Sequence, residues 1–270
     1  MPELPEVETI RRGLERRLCG ARVTRVEIRE PRLRRRVDEA ALRALVGRRV
    51  EAVGRRAKYL LADVGEGLCW LMHLGMSGRL LLVPSGEPPG EHEHVRVEFD
   101  RAGSLRYRDP RRFGWMRVAR VEELDEIAGL GPEALGAEIG GAALRALLRG
   151  TRRDIKAALL DQRVIAGIGN IYANEILFRA GVRPTRRCPR LSGADLDRIA
   201  RATAAVLGEA VARRGTSFSD YFDSDGLPGT FQDVLAVFDR RGEPCRRCAT
   251  PIKRRAQGGR SSFYCPCCQR

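Results

Sequence analysis

The sequence predicts an α+β chain of several domains: a β-rich N-terminal region with a helix packed on it, a helical middle, and a small C-terminal hairpin. Three observations carry this. Eight short apolar or alternating runs fill positions 23–118, with Gly and Pro between them. Helical periodicity replaces them after about residue 120. Two Cys-x-x-Cys pairs, at 245/248 and 265/268, then close the chain.

The first element is a helix at 5–19, where Val7, Ile10, Leu14 and Leu18 make one apolar stripe and Gly20 supplies the stop. Strands are expected at 23–28, 50–53, 59–64, 68–74, 79–83, 94–99, 104–107 and 115–118, interrupted by a short helix near 38–46. Many short strands joined by turn residues indicate a sandwich or a barrel. Helices follow at 121–130, 142–148, 154–160, 171–179 and 192–213, the last opening on a Ser192-x-x-Asp195 capping signal. Beyond about 216 the periodicity stops, and 224–229 is loop chemistry. There is no internal repeat and no low-complexity tract.

A chain of 270 residues can bury one large core or two modest ones. Its 50 basic residues face 35 acidic ones, for a net charge of +15, which points to a polyanionic partner. Only Lys58, Lys156 and Lys253 are lysines. Where arginine is so preferred, a retained lysine suggests a need for a compact, titratable ammonium. No apolar run approaches the ~18 residues of a membrane span. The acidic start lacks the layout of a secretion signal. Paired Cys-x-x-Cys in such a chain suggests metal rather than disulfides, and the cytosol is the consistent compartment.

The opening Met1-Pro-Glu-Leu-Pro-Glu-Val-Glu8 carries the sharpest chemical signal. With a small residue at position 2, removal of Met1 leaves the secondary amine of Pro2. An α-amino group titrates near ~7.7–8.0, against ~10.4 for lysine, so part of it is a free nucleophile at neutral pH. Attack on a carbonyl-like carbon gives a Schiff base, and Glu3 stands beside it for proton transfer. Pro5 suits the first turn of a helix, and Glu6 and Glu8 are read as no more than favourable charges at its positive end.

Cys245, Cys248, Cys265 and Cys268 have the spacing of a closed tetrahedral zinc site on a hairpin, with iron as the alternative. No coordination position stays open, so the metal is scaffold. It orders a basic tail containing Arg246, Arg247, Lys253, Arg254, Arg255 and Arg260. Cys267 is a spare thiol; Cys19, Cys69 and Cys188 read as small buried hydrophobes. Gly167-Ile-Gly-Asn170 opens a helix, and suits either a phosphate seat or an ordinary cap by Asn170. Two Gly/Pro-bounded loops carry Met76, and Arg111 with Phe113. These side chains could wedge between bases or could be core.

Together these stretches resemble the bacterial formamidopyrimidine-DNA glycosylase family. The likeness rests on Pro2-Glu-Leu-Pro-Glu6, Arg56-Ala-Lys-Tyr59, His73-Leu-Gly-Met-Ser-Gly78, Asp109-Pro-Arg-Arg-Phe-Gly114, Gly167-Ile-Gly-Asn-Ile-Tyr172 and the four-cysteine end, in order along the chain. The resemblance implies a β-sandwich catalytic domain at 2–130, a helix–two-turns–helix domain at 131–228 and a zinc finger at 229–270. It implies a monomeric bifunctional glycosylase and AP lyase of base excision repair. Such an enzyme removes 8-oxoguanine and formamidopyrimidines from double-stranded DNA, then cleaves the strand by β,δ-elimination. By this likeness Pro2 attacks C1′ of an everted nucleotide and Glu3 handles protons, with Lys58 the third catalytic residue and the fallback nucleophile. Lys58, His73, Asn170 and Arg260 hold phosphates, Met76, Arg111 and Phe113 fill the vacated stack, and His94 joins the DNA contacts. One structural zinc is the only cofactor implied.

Some residues depart from the family pattern. Arg214-Gly-Thr216 stands for Gly-Gly-Thr, Phe218 for Leu, Thr230 for Tyr, and Phe238-Asp239 for Tyr-Gly, which bears on base preference. An endonuclease VIII-type enzyme for oxidised pyrimidines and a non-enzymatic zinc-finger DNA-binding protein are the alternatives.

Overall fold

The computed structural model describes residues 2–136, 139–218 and 221–270. The chain forms two compact units, Met1–Ala128 with Arg213–Gln232, and Gly129–Ala212 with Asp233–Arg270.

In the first unit, α1 (Leu4–Leu18) precedes β1 (Val23–Ile28), α2 (Glu39–Arg43), β2 (Ala52–Arg56), β3 (Tyr59–Asp63), β4 (Leu68–His73), β5 (Arg79–Val83), β6 (Glu93–Phe99), β7 (Gly103–Arg108) and β8 (Trp115–Arg120). The strands make two antiparallel four-stranded sheets, ordered β1-β6-β7-β5 and β2-β3-β4-β8. The choice between sandwich and barrel is thereby resolved, because the two sheets share one core instead of closing on themselves. Leu80, Val97 and Leu105 of one sheet and Leu60, Trp70 and Met72 of the other lie in that core. The α1 stripe of Val7, Ile10, Leu14 and Leu18 is buried in it too. Period-two alternation explains β4: Trp70 and Met72 face this core. Cys69 and Leu71 face the other side, where Trp115, Ala119 and Leu124 pack.

The helix expected at 121–130 shrinks to a 3₁₀ turn, Val121–Glu123, and one turn, α3 (Asp125–Ala128). Only Leu124 and Ile127 have an apolar surface to meet, and Gly129, Gly131 and Pro132 then stop the helix. Similarly α2 is shorter than 38–46, starting where the Asp38 carboxylate accepts the Ala41 N–H.

Residues 213–228, expected with the helices, pack in the first unit. Tyr221 enters its core, and the Leu82 N–H donates to the Ser224 carbonyl at 2.9 Å. Gly13 of α1 makes room, since a Cβ there would sit 2.0 Å from Ser224 Oγ.

The second unit contains α4 (Gly141–Leu147), α5 (Ile155–Leu159), α6 (Asn170–Ala180), α7 (Gly193–Ala212), β9 (Lys253–Gln257) and β10 (Arg260–Tyr264). The capping signal at the start of α7 is formed: Asp195 Oδ2 accepts the Ser192 N–H at 2.8 Å and Ser192 Oγ accepts the Asp195 N–H at 3.1 Å. Helix α6 is buried on nearly every side, so even its polar residues need internal partners. Asn174 Oδ1 accepts the Phe263 N–H of β10 at 2.8 Å. Glu175 accepts the N–H groups of Ala236, Val237 and Phe238 at 2.8, 3.0 and 2.8 Å. From α5, Lys156 Nζ donates to Ser261 O and Ser262 Oγ. The β9–β10 hairpin is thus docked by buried polar side chains as much as by Phe178, Ile252 and Phe263.

Burial pushes the Glu175 carboxyl up, and the three backbone N–H groups oppose it. Glu175→Ala strands those donors at a cost of ~1–3 kcal/mol each where they stay dry. Chemical denaturation is expected to show a loss of about 3 kcal/mol or more, with residues 236–270 becoming protease-sensitive first.

Candidate active site and nucleic-acid interface

In the first unit the start of the chain is pinned before it enters α1. Glu3 is the extended N-cap (φ −103°, ψ −170°) and 3% exposed, with Pro2 buried beside it. Met1, whose removal the sequence predicts, lies outside the described residues. Glu6 Oε2 accepts the Glu3 N–H at 2.7 Å, and Glu6 Oε1 accepts the Thr216 N–H at 2.7 Å. Glu6 and Glu8 therefore do more than favour a helix end, as both are buried acceptors. Glu8 receives Arg11, Arg12 and Arg55. Burial alone would raise its carboxyl, but hydrogen bonds from those three arginines outweigh that and hold it below the usual range. Arg55 also donates to the Ala57 carbonyl at 2.9 Å. Ala57 has φ +51°, in the two-residue link between β2 and β3 that carries Lys58. Lys58 is 8% exposed.

His73 ends β4 opposite Tyr59 and Trp115. Burial first, then the charges of Lys58, Arg34 and Arg35, push its imidazole down to about 4. Its Nδ1 accepts the Gly75 N–H at 3.1 Å, which assigns the ring proton of the neutral form to Nε2. His73 is thus an uncharged N–H donor at neutral pH.

The loops 73–78 and 109–114 are locked together by Asp109, which is fully buried. Its Oδ1 accepts Ser77 Oγ–H at 2.6 Å, and its Oδ2 accepts Tyr107 O–H at 2.9 Å and Gly114 N–H at 2.8 Å. Gly75 permits the approach, because a Cβ there would lie 2.3 Å from the Phe113 backbone. On this base Met76 and Phe113 are each 39% exposed, so neither is core. The Arg111 guanidinium stacks 4.6 Å over the Phe113 ring. His94, expected among the DNA contacts, is buried, with Nε2 2.8 Å from the Asp109 carbonyl oxygen. It faces the base of the loop rather than solvent. The structural parts of Asp109, Glu6, Glu8 and Arg55 go beyond what the sequence predicts for them. An Asp before Pro in a turn, and an acid three residues after an N-cap, are the available signals.

In the second unit the turn before α6 is fixed from inside. Gln162 accepts the Gly167 N–H at 2.8 Å and donates to the Ile168 carbonyl at 2.9 Å. Gly167 takes φ +104°. The N-cap is Gly169, without a side-chain cap bond, so Asn170 is not an ordinary cap. Asn170 is the first residue of α6, and its Oδ1 is buried without a hydrogen-bond partner. Arg260 is exposed at the start of β10.

The Sγ atoms of Cys245, Cys248, Cys265 and Cys268 lie within 4.8 Å of one another. Sulfurs around a tetrahedral ion with bonds of ~2.3 Å would be ~3.8 Å apart, and the pairs at 3.4 and 3.9 Å fit this. Cys267 is exposed and outside the cluster. Cys69 and Cys188 are buried as expected, whereas Cys19 is half-buried.

Two departures from the family pattern keep glycine-like backbone: Arg214 has φ +59° and Asp239 has φ +60°. Phe238 packs edge-on against Phe263, and the Thr230 N–H donates to Arg213 O at 2.9 Å. Phe218 is exposed, while Ser219 and Asp220 of the same loop lie outside the described residues.

Three family descriptions match the chain: the formamidopyrimidine-DNA glycosylase N-terminal domain over residues 1–116, its H2TH domain over 130–221, and the zinc finger found in FPG and IleRS over 242–270. The cysteine cluster accordingly holds one structural zinc. A formamidopyrimidine-DNA glycosylase from Methylococcus capsulatus is 45% identical, covering all of both chains. The solved MutM (FPG) protein of Thermus thermophilus superimposes with TM-score 0.88 at 39% identity, over 99% of this chain and 98% of that one. Lactococcus lactis Fpg, solved in complex with DNA containing an abasic site, reaches TM-score 0.91 at 31% identity over the whole of both. With its sandwich, its pinned N-terminus and its four-cysteine hairpin all in family register, the chain belongs to the formamidopyrimidine-DNA glycosylases.

Proposed function

We propose that the chain is a DNA glycosylase and AP lyase that removes oxidised purines, 8-oxoguanine and formamidopyrimidines, with the amine of Pro2 as nucleophile. The observation that carries this is Pro2-Glu3, buried and held by a dedicated carboxylate at the head of α1. Residues 2–128 with 213–232 carry the chemistry, while the helices of 129–212 and the zinc finger at 233–270 grip the duplex. Its substrate puts the enzyme on the bacterial nucleoid, in the cytoplasm, as a monomer.

The amine attacks C1′ while the Glu3 carboxyl moves a proton at the sugar, so the C1′–N bond breaks and the base leaves. With a proton delivered to O4′ the C1′–O4′ bond opens, and the iminium that results acidifies the C2′ protons. Loss of one breaks the C3′–O bond and releases the 3′ phosphate, a second elimination breaks the 5′ bond, and water frees Pro2. Lys58 stands at the hairpin tip as the second amine of the site, for a phosphate and for proton transfer. His73, Asn170 and Arg260 take phosphates. Asn170 suits this through its amide N–H groups, which donate, at a helix N-terminus that favours an anion. Met76, Arg111 and Phe113 fill the space of the everted nucleotide, offsetting part of an unstacking cost of a few kcal/mol. His94 acts beneath them through Asp109.

Borohydride is expected to trap the enzyme on 8-oxoguanine DNA, with the adduct at residue 2 by mass spectrometry. Glu3→Gln is expected to slow base release by about 10²–10⁴-fold. An adduct at Lys58 would move the nucleophile there, and preferential cutting of thymine glycol duplexes would favour the pyrimidine-specific reading.

Phe113→Ala should leave the melting temperature unchanged within error, because the ring is exposed, while duplex lesion processing falls. A stability loss of several kcal/mol would instead mark the ring as core.

His73 gives a signed prediction. Its folded value of about 4 lies below the ~6.5 of an unfolded histidine. It therefore costs no stability above pH ~6.5, and destabilises progressively as pH falls from there to about 4. As a neutral donor it releases no counterion. His73→Ala should weaken duplex binding without changing the salt slope, whereas Arg260→Ala should reduce that slope by roughly 0.9. Anisotropy titrations at several salt concentrations check both.

A further inference from the structure

We infer that Glu6 is a positioning residue that couples the Pro2 amine to the loop rooted at 214–217 and 229–232. This rests on the reading of Pro2 as nucleophile. One buried carboxylate, 1% exposed, receives two N–H groups from opposite ends of the sequence. Oε2 takes the Glu3 N–H, one peptide from the Pro2 nitrogen, and Oε1 takes the Thr216 N–H, each at 2.7 Å.

The loop is stitched shut at this point. Gly215 O accepts the Phe231 N–H at 3.0 Å. Ser217 Oγ accepts the Gly229 N–H at 2.9 Å, and Gln232 Oε1 accepts the Ser217 N–H at 2.9 Å. There is no spare space. A Cβ on Gly215 would sit 2.6 Å from Glu6 Oε1, and one on Gly229 would sit 2.2 Å from Gly215 O. Tyr221, further along the loop, donates its hydroxyl proton to the Glu6 carbonyl at 3.3 Å. Any displacement of the loop root must therefore move the Glu6 carboxylate or break its bond to Thr216. Movement of the carboxylate shifts the Glu3 peptide and the amine attached to it.

The two N–H groups meet different oxygens of the carboxylate, and glutamine puts an NH₂ donor in place of one of them. Glu6→Gln must lose one of the bonds, and Gly215→Ala pushes the carboxylate from the loop side. The test is single-turnover borohydride trapping on an abasic-site duplex, which needs the amine but no base recognition, together with duplex Kd. Each variant should trap about 10- to 100-fold more slowly with Kd within about threefold, the scale expected of a misplaced reacting group. The double variant should be no slower than Glu6→Gln alone, because both act through one contact. Trapping within twofold of wild type, or multiplicative losses in the double variant, overturns the coupling while leaving Pro2 as nucleophile. Failure of the wild type itself to trap overturns the Pro2 reading and this inference with it. If circular dichroism shows Glu6→Gln unfolded, Gly215→Ala decides alone.

Discussion

The buried carboxylate that accepts hydrogen bonds from a distant segment is the interaction on which this molecule depends. It recurs three times. Glu6 ties the chain's start to residue 216, Asp109 ties its own loop to Ser77, and Glu175 ties α6 to residues 236–238. Glu6 and Glu175 join segments that no strand ladder connects, and Asp109 joins two loops that lie between the β4–β8 and β5–β7 ladders. A carboxylate suits the task because it offers two oxygens with several acceptor directions and no competing donor. The arrangement is costly if incomplete, since an ionised group taken from water needs all its partners. That cost makes each join close to all-or-none.

The same logic explains the economy of lysine. Lys58 and Lys156 are 8% and 1% exposed in a chain that otherwise uses arginine for positive charge. Lys156 donates to two oxygens of β10 in a space where a planar guanidinium would need a wider set of acceptors. Lys58 sits at a hairpin tip whose strained Ala57 is held by Arg55 and Glu8. Lys253 is exposed and follows no such rule.

The strands, the α1 stripe and the cysteine site are legible in the sequence because each has a period or spacing set by local geometry. Val7, Ile10, Leu14 and Leu18 all reach the core. The short helices come out shorter than their composition predicts, since 121–130 has only two apolar contacts to make. Exposure of Met76 and Phe113 follows from their Gly/Pro-bounded loops. The roles of Glu6, Glu8 and Asp109 are hidden because a carboxylate's partner lies tens to hundreds of residues away, or is a backbone N–H that every residue carries. His94 departs from expectation for a related reason: only the fold shows its Nε2 turned to a carbonyl beneath the loop.

Arg214 and Asp239 show what the backbone will keep when the sequence drifts. Both hold left-handed conformations that cost a non-glycine residue roughly 1–2 kcal/mol, with Asp among the better tolerated. Were these bends dispensable, the chain could relax into an extended or helical conformation at no such cost. It does not, because the peptides beside them are already committed. Gly215 and Thr216, next to Arg214, bond to Phe231 and Glu6, and Phe238, next to Asp239, bonds to Glu175. The strain is retained at the two places where a buried carboxylate fixes the neighbouring amide. At both positions the backbone path is therefore set by its hydrogen-bond acceptor, and the side chain is free to vary around it.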